Sequence, residues 1–273
     1  MGIDLDHRRG VVTGAGSGIG CEMALRLAAR GAELVLVGRR RQTLQRTADL
    51  MRDAGGTAHV AVADLTEPGT PARIARRAQD VFGDYDLLIN NAGNVRAGSL
   101  REHSAEDIQA MIAHNLTAPV LLSRAALPAL RPPTPEKQAL LLNIASGIAL
   151  VNLPFYTVYS ATKSGLAAFG HALRRELHST PVHVATAYPG ATDTDMMATS
   201  RAGDELGFGR REVTDVVRDI FAALEQGRHE INTALPARRA LQDLHRRDPL
   251  AVDAQLAPKL REMENAVRGH RSI

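Results

Sequence analysis

Tryptophan is absent from this chain of 273 residues, and aromatic residues make up only 3% of it. The sequence therefore lacks the stacking surface on which single-stranded nucleic acids bind. A formal net charge of +3 with 23% charged residues also leaves no concentrated basic stripe. These shortages predict that nucleic acid is not a partner of this protein.

Cys21 is the one cysteine, so no disulfide can form within the chain. The first residues lack the apolar core of a secretory signal, and no apolar run approaches the length that spans a bilayer. The ten histidines show no metal-ligand spacing to cysteines or carboxylates. We therefore expect a cytoplasmic protein with no membrane span and no bound metal.

Short apolar runs alternate with longer segments of helical periodicity. The runs predicted as strands cover residues 10–13, 33–37, 58–63, 86–90, 139–144, 182–187 and 230–233. The segments predicted as helices cover residues 19–30, 40–54, 70–82, 104–130, 156–179 and 212–226. Such alternation is typical of a parallel sheet with helices on both faces. The expected fold class is α/β, a single doubly wound domain with a mainly parallel seven-stranded sheet.

A glycine-rich turn follows the first predicted strand and leads directly into a helical pattern. Its spacing is Gly14-x-x-x-Gly18-x-Gly20, which differs from the common Gly-x-Gly-x-x-Gly fingerprint. A turn of this kind lets the backbone approach a pyrophosphate, whose charge is favoured at a helix N-terminus. A tight strand–helix connection without a ligand is the alternative. The strand before the turn and the helix after it favour a Rossmann-type dinucleotide site.

The end of the second predicted strand bears on which dinucleotide binds. An acidic residue there would accept hydrogen bonds from the ribose hydroxyls and repel a 2′-phosphate, but this chain has Arg39 and Arg40 instead. Arginine offers a forked pair of donors to phosphate oxygens. The sequence therefore predicts a preference for NADP(H), with NAD(H) possible. The alternative is that these arginines simply begin an exposed helix.

Tyr159 and Lys163 stand four residues apart, in a chain with three lysines and thirty arginines. On a helix this spacing places both side chains on one face, about one turn apart. A cation beside a phenol favours the phenolate and lowers its pKa, which suits acid–base chemistry. An ordinary amphipathic helix with a surface lysine is the alternative for this pair taken alone.

Together these features resemble the short-chain dehydrogenase/reductase family over residues 8–231. The family motifs occur in chain order as the turn Thr13 to Gly20, Asp64, Asn90-Asn91-Ala92-Gly93, Asn115, Ser146, Tyr159 with Lys163, and Pro189-Gly190 with Thr194. Any one of these matches is weak, whereas their agreement in order is specific.

The resemblance implies an oxidoreductase with a catalytic set of four residues. Tyr159 would exchange a proton with the substrate oxygen, and Ser146 would hold that oxygen near the phenol. Lys163 would lower the phenol pKa and bind the nicotinamide ribose, while Asn115 would hold a water that links Lys163 to solvent. The residues expected to bind the dinucleotide are Gly14, Gly16, Ser17, Gly18, Ile19, Gly20, Arg39, Arg40, Asp64, Leu65, Asn91, Ala92, Gly93, Tyr159, Lys163, Pro189, Gly190, Thr192 and Thr194.

The segments after the fourth, fifth and sixth predicted strands should line a substrate pocket, because ligands of doubly wound sheets bind beyond the carboxyl ends of the strands. Glycines in residues 191–211 suggest that this segment forms a lid. The expected pocket is mostly apolar, with Arg96 as a candidate for an anionic group. Its residues are Val95, Arg96, Ser146, Leu150, Leu153, Tyr156, Met196 and Met197.

The chain continues beyond the point where many family members end. We expect residues 1–234 to form the Rossmann-type domain and residues 235–273 to form a helical C-terminal extension that is not an independent domain. Asp248 and Pro249 predict a helix start, and Pro258 predicts an interruption. The extension is expected to dock on a subunit of the enzyme, with a membrane surface as the alternative. A homodimer or homotetramer is expected from the resemblance, although the extension puts the common tetramer in doubt.

The sequence thus predicts an NADP-preferring oxidoreductase that acts on an alcohol or carbonyl carbon of a hydrophobic small molecule, in the ketone-reducing direction. A dinucleotide-sensing binding protein without turnover is one alternative. An isomerase or dehydratase relative is another. The physiological substrate and its stereochemistry are not encoded in the motifs.

Overall fold

The computed structural model of this protein describes residues 2–272. Within them, seven strands form one sheet in the order β3-β2-β1-β4-β5-β6-β7. The strands are β1 (Arg9–Thr13), β2 (Glu33–Gly38), β3 (Thr57–Val62), β4 (Leu87–Asn90), β5 (Ala139–Ile144), β6 (Val182–Tyr188) and β7 (Glu230–Asn232). Every neighbouring pair is parallel, which confirms the predicted fold class and each predicted strand.

Helices cover both faces of the sheet. They are α1 (Gly18–Ala28), α2 (Arg41–Asp53), α3 (Thr70–Phe82), α4 (Ala105–Ile112), α5 (Ala118–Ala126), α6 (Thr157–Glu176) and α7 (Val213–Glu225). One apolar core lies between the sheet and the helices α1, α2 and α7. A second core lies between the opposite face and the helices α3, α5 and α6. Central strands such as β5 are buried throughout because helices cover both of their faces.

The single helix predicted over residues 104–130 is divided in the structure. A π-helical turn at Ala113–Thr117 separates α4 from α5, and it contains Asn115. Pro119 has no amide hydrogen to donate to the Asn115 carbonyl, as an uninterrupted α-helix would require. Turns of this kind within helices often occur at functional sites.

Three further helices follow β7: α8 (Pro236–Arg247), α9 (Pro249–Leu256) and α10 (Leu260–Val267). The Asp248 side chain accepts a hydrogen bond from the Ala251 amide and so caps α9, as predicted. A short 3-10 turn at Ala257–Lys259 carries Pro258 and separates α9 from α10. Within residues 2–272, every helix is too short or too polar to span a lipid bilayer.

The strand order reverses direction along the chain between β1 and β4. In sheets of this topology the crevice for ligands opens at that reversal, beyond the carboxyl ends of the strands. The residues that leave β1 and β4 at this edge are the glycine turn and the segment 91–94. The fold therefore brings two of the sequence motifs together.

Candidate active site

The glycine turn has the close packing that only glycine permits. Gly14 has a φ of 64°, in the left-handed region that other residues rarely adopt. A Cβ at Gly20 would lie 2.4 Å from Nδ2 of Asn91 and 2.5 Å from the Gly14 carbonyl oxygen. Gly20 therefore serves the packing of α1 against the turn, and it is not part of the cleft wall described next.

A cleft of about 740 Å³ lies over this turn at the reversal of strand order. Twelve of the residues expected to bind a dinucleotide line it: Gly14, Gly16, Ser17, Gly18, Ile19, Arg39, Arg40, Leu65, Asn91, Ala92, Gly93 and Thr194. Its volume and its backbone-lined floor at the start of α1 fit a dinucleotide. The residues present therefore fit the cofactor that the resemblance implies.

Asp64 lies beside the cleft without lining it. Its carboxylate accepts hydrogen bonds from the Thr66 amide at 2.9 Å and the Thr66 hydroxyl at 2.6 Å. Burial acts to raise the pKa of Asp64, but these hydrogen bonds and the charges of His114 and Arg39 hold the pKa below its ordinary value. Asp64 is thus held as a carboxylate next to the arginines at the end of β2.

Asn91 joins the segment after β4 to the glycine turn after β1. Its side-chain Nδ2 donates to the carbonyl oxygens of Thr13 at 2.9 Å and Gly14 at 3.3 Å. The Thr13 hydroxyl oxygen accepts from the backbone amides of Asn91 at 2.9 Å and Ala92 at 3.0 Å. These bonds fix the segment after β4 against the glycine turn.

The catalytic candidates come together beside this cleft. Tyr159 and Lys163 are 9% and 4% exposed, and the Lys163 Nζ lies 5.9 Å from the centre of the Tyr159 ring. Nζ donates a hydrogen bond to the Ile144 carbonyl at 3.0 Å, which anchors the lysine to the end of β5. Ser146 follows that strand, where its side chain acts to lower the pKa of the neighbouring Tyr159 phenol and its hydroxyl oxygen accepts from the Ile148 amide at 3.3 Å.

Asn115 completes the set from behind Lys163. Its Oδ1 accepts from the Asn94 amide and its Nδ2 donates to the Asn94 carbonyl, both at 2.9 Å. A third bond runs from Nδ2 to the Thr162 hydroxyl at 3.2 Å. A Cβ at Gly93 would lie 2.9 Å from Oδ1 of Asn115 and 3.3 Å from Nζ of Lys163, so these three residues converge.

Burial sets the protonation of the central pair. It raises the pKa of Tyr159 to about 12, against the opposing effect of the Ser146 hydrogen bond. It also lowers the pKa of Lys163 to about 8. The lowering of the phenol pKa that the sequence predicts is not found, because desolvation of both groups outweighs their mutual attraction. Tyr159 therefore holds its proton at neutral pH.

A second cavity, of about 150 Å³, opens onto Ser146 and Tyr159. Ile19, Asn91, Thr194 and Met196 line both this cavity and the larger cleft, so the two are contiguous. The residues expected from the sequence that line the smaller cavity are Ile19, Asn91, Val95, Ser146, Leu153, Tyr156, Tyr159, Lys163, Pro189, Gly190, Thr192, Thr194, Met196 and Met197.

Two residues expected in the substrate pocket lie elsewhere. The Arg96 side chain points to α4, where its Nε lies 2.9 Å from Oδ2 of Asp107 in an ion pair. Leu150 packs with Ala145 and Tyr188 in a separate small apolar cluster. Neither residue lines the cavity, because Arg96 pairs with Asp107 and Leu150 packs in its own cluster.

The lining residues that the sequence did not predict include Phe208, Arg238 and His270. Phe208 lies in the segment expected to form a lid, whereas Arg238 and His270 belong to the C-terminal extension. Arg238 and His270 belong to no motif, and no spacing in the sequence relates them to Tyr159. Only the tertiary path of the extension brings them to the cavity.

The tail after α10 runs along the loop that follows β4. The Ser272 amide donates to the Val95 carbonyl, and the Val95 amide donates to the Ser272 hydroxyl, both at 3.0 Å. The Ala97 amide donates to the His270 carbonyl at 2.9 Å. His270 thereby faces the smaller cavity, while Arg271 and Ser272 line the larger cleft.

Comparisons with known proteins agree with this geometry. Residues 9–205 match the family described as short chain dehydrogenase. An uncharacterized oxidoreductase of Staphylococcus aureus (strain MRSA252) is 32% identical over 225 residues, which covers 82% of this chain and 94% of the relative.

Two solved structures share the fold. A short chain dehydrogenase from Burkholderia cenocepacia J2315, in complex with NADP, is 28% identical with a TM-score of 0.75, and the match covers 84% of this chain and 96% of that one. A short chain dehydrogenase/reductase from Burkholderia phymatum, in complex with NAD, is 26% identical with a TM-score of 0.80, covering 90% and 95%. This protein therefore belongs to the short chain dehydrogenase family of oxidoreductases.

Proposed function

We propose that this protein is an NADP-preferring reductase of a carbonyl carbon in a largely hydrophobic small molecule. The observation that carries the proposal is the shared wall of the two cavities. Ser146 and Tyr159 face the smaller cavity. Asn91 and Thr194 line both that cavity and the larger cleft, so the two spaces adjoin. A carbonyl group held by Ser146 would thus lie next to the dinucleotide.

The larger cleft would hold the dinucleotide through the glycine turn and the ends of β2 and β4. When bound, NADPH supplies the hydride. The exposed guanidinium groups of Arg39 and Arg40 support a preference for the 2′-phosphate, since no acidic residue ends β2 to accept the ribose hydroxyls. Relatives of known structure bind NADP in one case and NAD in the other, so the arginines carry this part of the proposal.

The protein's own groups would handle the proton. Ser146 donates a hydrogen bond to the substrate oxygen and holds it near the phenol of Tyr159. Tyr159, whose pKa burial raises to about 12, keeps a proton available to the oxygen as negative charge develops there. Lys163 and Asn115 lie behind the phenol, where they can return a proton to it from solvent. A protonated tyrosine suits reduction better than oxidation.

The apolar lining supports a hydrophobic substrate. Side chains such as Ile148, Leu153, Met197 and Phe208 exclude water from the space above Tyr159.

A homodimer or homotetramer stays a prediction, which size-exclusion chromatography with light scattering would test.

The direct test is a panel of ketosteroids, acyl-thioester ketones, quinones and sugars, followed by NADPH absorbance. Tyr159→Phe should reduce turnover by about 10²-fold or more, because it removes the proton donor, while leaving NADPH binding unchanged. Tyr85→Phe serves as the control, because Tyr85 is buried in the core away from the cavity and its hydroxyl has no hydrogen-bond partner within the described residues. Turnover without any net change in NADPH would favour an isomerase or dehydratase. NADPH binding with no turnover of any substrate would favour the sensing protein.

A further inference from the structure

The substrate cavity contains a cation that the proposed proton chemistry does not use. Arg238 lies in the first turn of α8, where its half-buried guanidinium lines the cavity. Burial lowers the pKa of Arg238 to about 10, so the group remains charged at neutral pH. A charged group withdrawn from water is normally matched by an opposite charge.

No such match is found for Arg238 within residues 2–272. Its polar contact there is a hydrogen bond from Nη2 to the Gly207 carbonyl, at 2.5 Å. The arginines on the neighbouring loop differ, since Arg210 lies 3.5 Å from Asp193 and Arg211 lies 2.6 Å from Asp219. A guanidinium has five N–H donors, so most donors of Arg238 lack a protein acceptor in the described chain.

An aromatic wall connects this guanidinium to the catalytic tyrosine. The ring centres of Tyr159 and Tyr156 lie 6.3 Å apart, and those of Tyr156 and Phe208 lie 5.7 Å apart. Cζ of Arg238 then lies 4.8 Å from the centre of the Phe208 ring. The cavity thus has a proton donor at one place on this wall, a cation at another, and apolar surface between them.

The dinucleotide does not account for the cation. Arg238 lines the smaller cavity and is not part of the wall of the larger cleft, where Arg39 and Arg40 lie. Arg96, the arginine that the sequence suggested for an anion, is paired with Asp107. The remaining candidate partner for Arg238 is a negatively charged group of a substrate bound in the cavity.

We propose that Arg238 anchors a carboxylate of the substrate, so that the preferred substrate is an oxo acid whose ketone and carboxylate are separated by an apolar segment. The planar fork of arginine matches the two oxygens of a carboxylate. In the reaction the carbonyl carbon gains a hydride from NADPH and the carbonyl oxygen gains the proton of Tyr159, giving a hydroxy acid. The carboxylate is unchanged. This inference rests on the proposed function for the ketone.

The test compares a ketone that carries a remote carboxylate with the methyl ester of the same ketone. The wild-type enzyme should prefer the acid by about 10-fold to 100-fold in kcat/KM, as expected for hydrogen bonds to a charged group. Arg238→Met should remove that preference, mainly by raising KM for the acid, so that acid and ester are reduced with similar kcat/KM. Arg238→Lys keeps the charge without the fork and should retain a smaller preference.

Arg246→Met is the matched control, because Arg246 lies on the same helix and its ion pair within residues 2–272 is with Asp243 at the surface. It should leave the preference for the acid intact. A wild-type enzyme that does not distinguish acid from ester would overturn the proposal. So would an Arg238→Met variant that keeps the distinction. Thermal unfolding of each variant shows that it is folded, and Arg238→Lys preserves the test if the methionine variant is not.

An analogue of the oxo acid that keeps the carboxylate but lacks the ketone cannot be reduced. Its binding, measured by calorimetry, separates this proposal from the proposed function. Binding that weakens about 10-fold or more in Arg238→Met supports the anchor even if no ketone is reduced. Reduction of ketones with no dependence on Arg238 supports the reductase and rejects the anchor.

Discussion

The hydroxyl of Tyr156 and Nδ1 of His270 lie 2.8 Å apart, which joins the start of α6 to the C-terminal tail. Nε2 of the same imidazole lies 2.9 Å from the Met196 carbonyl, which can only accept a hydrogen bond. Nε2 therefore carries the proton, and Nδ1 accepts from the phenol. Burial lowers the pKa of His270, which keeps this neutral form at pH 7.

His270→Ala should lower the free energy of unfolding by about 1–3 kcal/mol, because it leaves the Tyr156 hydroxyl and the Met196 carbonyl buried without this partner. Tyr156→Phe removes the hydroxyl itself, so the double variant should lose less than the sum of the two single variants. Chemical unfolding of the four proteins measures the coupling. Additive losses would show that the two side chains do not stabilise each other.

The same contact should appear in the kinetics. Since His270 positions Tyr156 on the wall of the cavity and holds the segment that bears Met196, its loss should raise KM for the carbonyl substrate by about 10-fold, and the fold-change in kcat should be smaller. Binding of NADPH, followed by fluorescence, should change little. An unchanged KM would restrict His270 to a role in stability.

The reduction rate should depend on pH through Lys163. Its pKa is lowered to about 8 by burial, so it is charged below that pH and loses its proton above it. Tyr159, with a pKa of about 12, keeps its proton across the same interval. We expect kcat/KM for reduction to be level below pH 8 and to fall above it, by about tenfold per pH unit if the charge is essential. Retention of full activity to pH 10, with the fold intact by circular dichroism, would contradict the role of the lysine charge.

The cofactor preference should depend on Arg39 and Arg40 and not on Arg41. Arg39 and Arg40 line the cleft, whereas Arg41 begins α2 outside it. Replacing Arg39 and Arg40 by alanine should reduce the ratio of kcat/KM for NADPH to that for NADH by about 10-fold to 100-fold, through the loss of charge-assisted bonds to the 2′-phosphate. Arg41→Ala should leave the ratio within about threefold, a change too small to represent a lost charged hydrogen bond. An unchanged ratio in the double variant would remove the basis for NADP preference.

The strands and the motif residues could be predicted because their signals are local. A strand such as β2 is an unbroken apolar run, and Tyr159 and Lys163 share a helix face by their spacing alone. The division between α4 and α5 was missed, although Pro119 four residues after Asn115 was its signal. Arg238 and His270 could not be assigned to the cavity, because no local pattern records how a helical extension folds back over a sheet.

The raised pKa of Tyr159 could not be predicted from the sequence, for a related reason. Spacing shows that a lysine is near a phenol, but it does not show how much water either group keeps. In the folded protein both side chains are buried, and Lys163 directs its Nζ to the Ile144 carbonyl. The desolvation cost of a phenolate therefore exceeds the stabilisation from the neighbouring ammonium.

Gln242 provides a test of whether the extension acts on catalysis. From α8, its Nε2 donates to the Gly147 carbonyl at 2.9 Å, immediately after Ser146, and its Oε1 accepts from Asn232 at 2.7 Å. Gln242→Leu removes both bonds, so the turn that carries Ser146 loses a fixed support. We expect kcat to fall by about 10-fold with NADPH affinity unchanged, since misplacing a positioning group mainly affects the reacting geometry. Gln255→Leu, at an exposed position of α9, should have no effect. If Gln242→Leu lowers only the melting temperature and leaves kcat unchanged, the extension stabilises the fold without positioning Ser146.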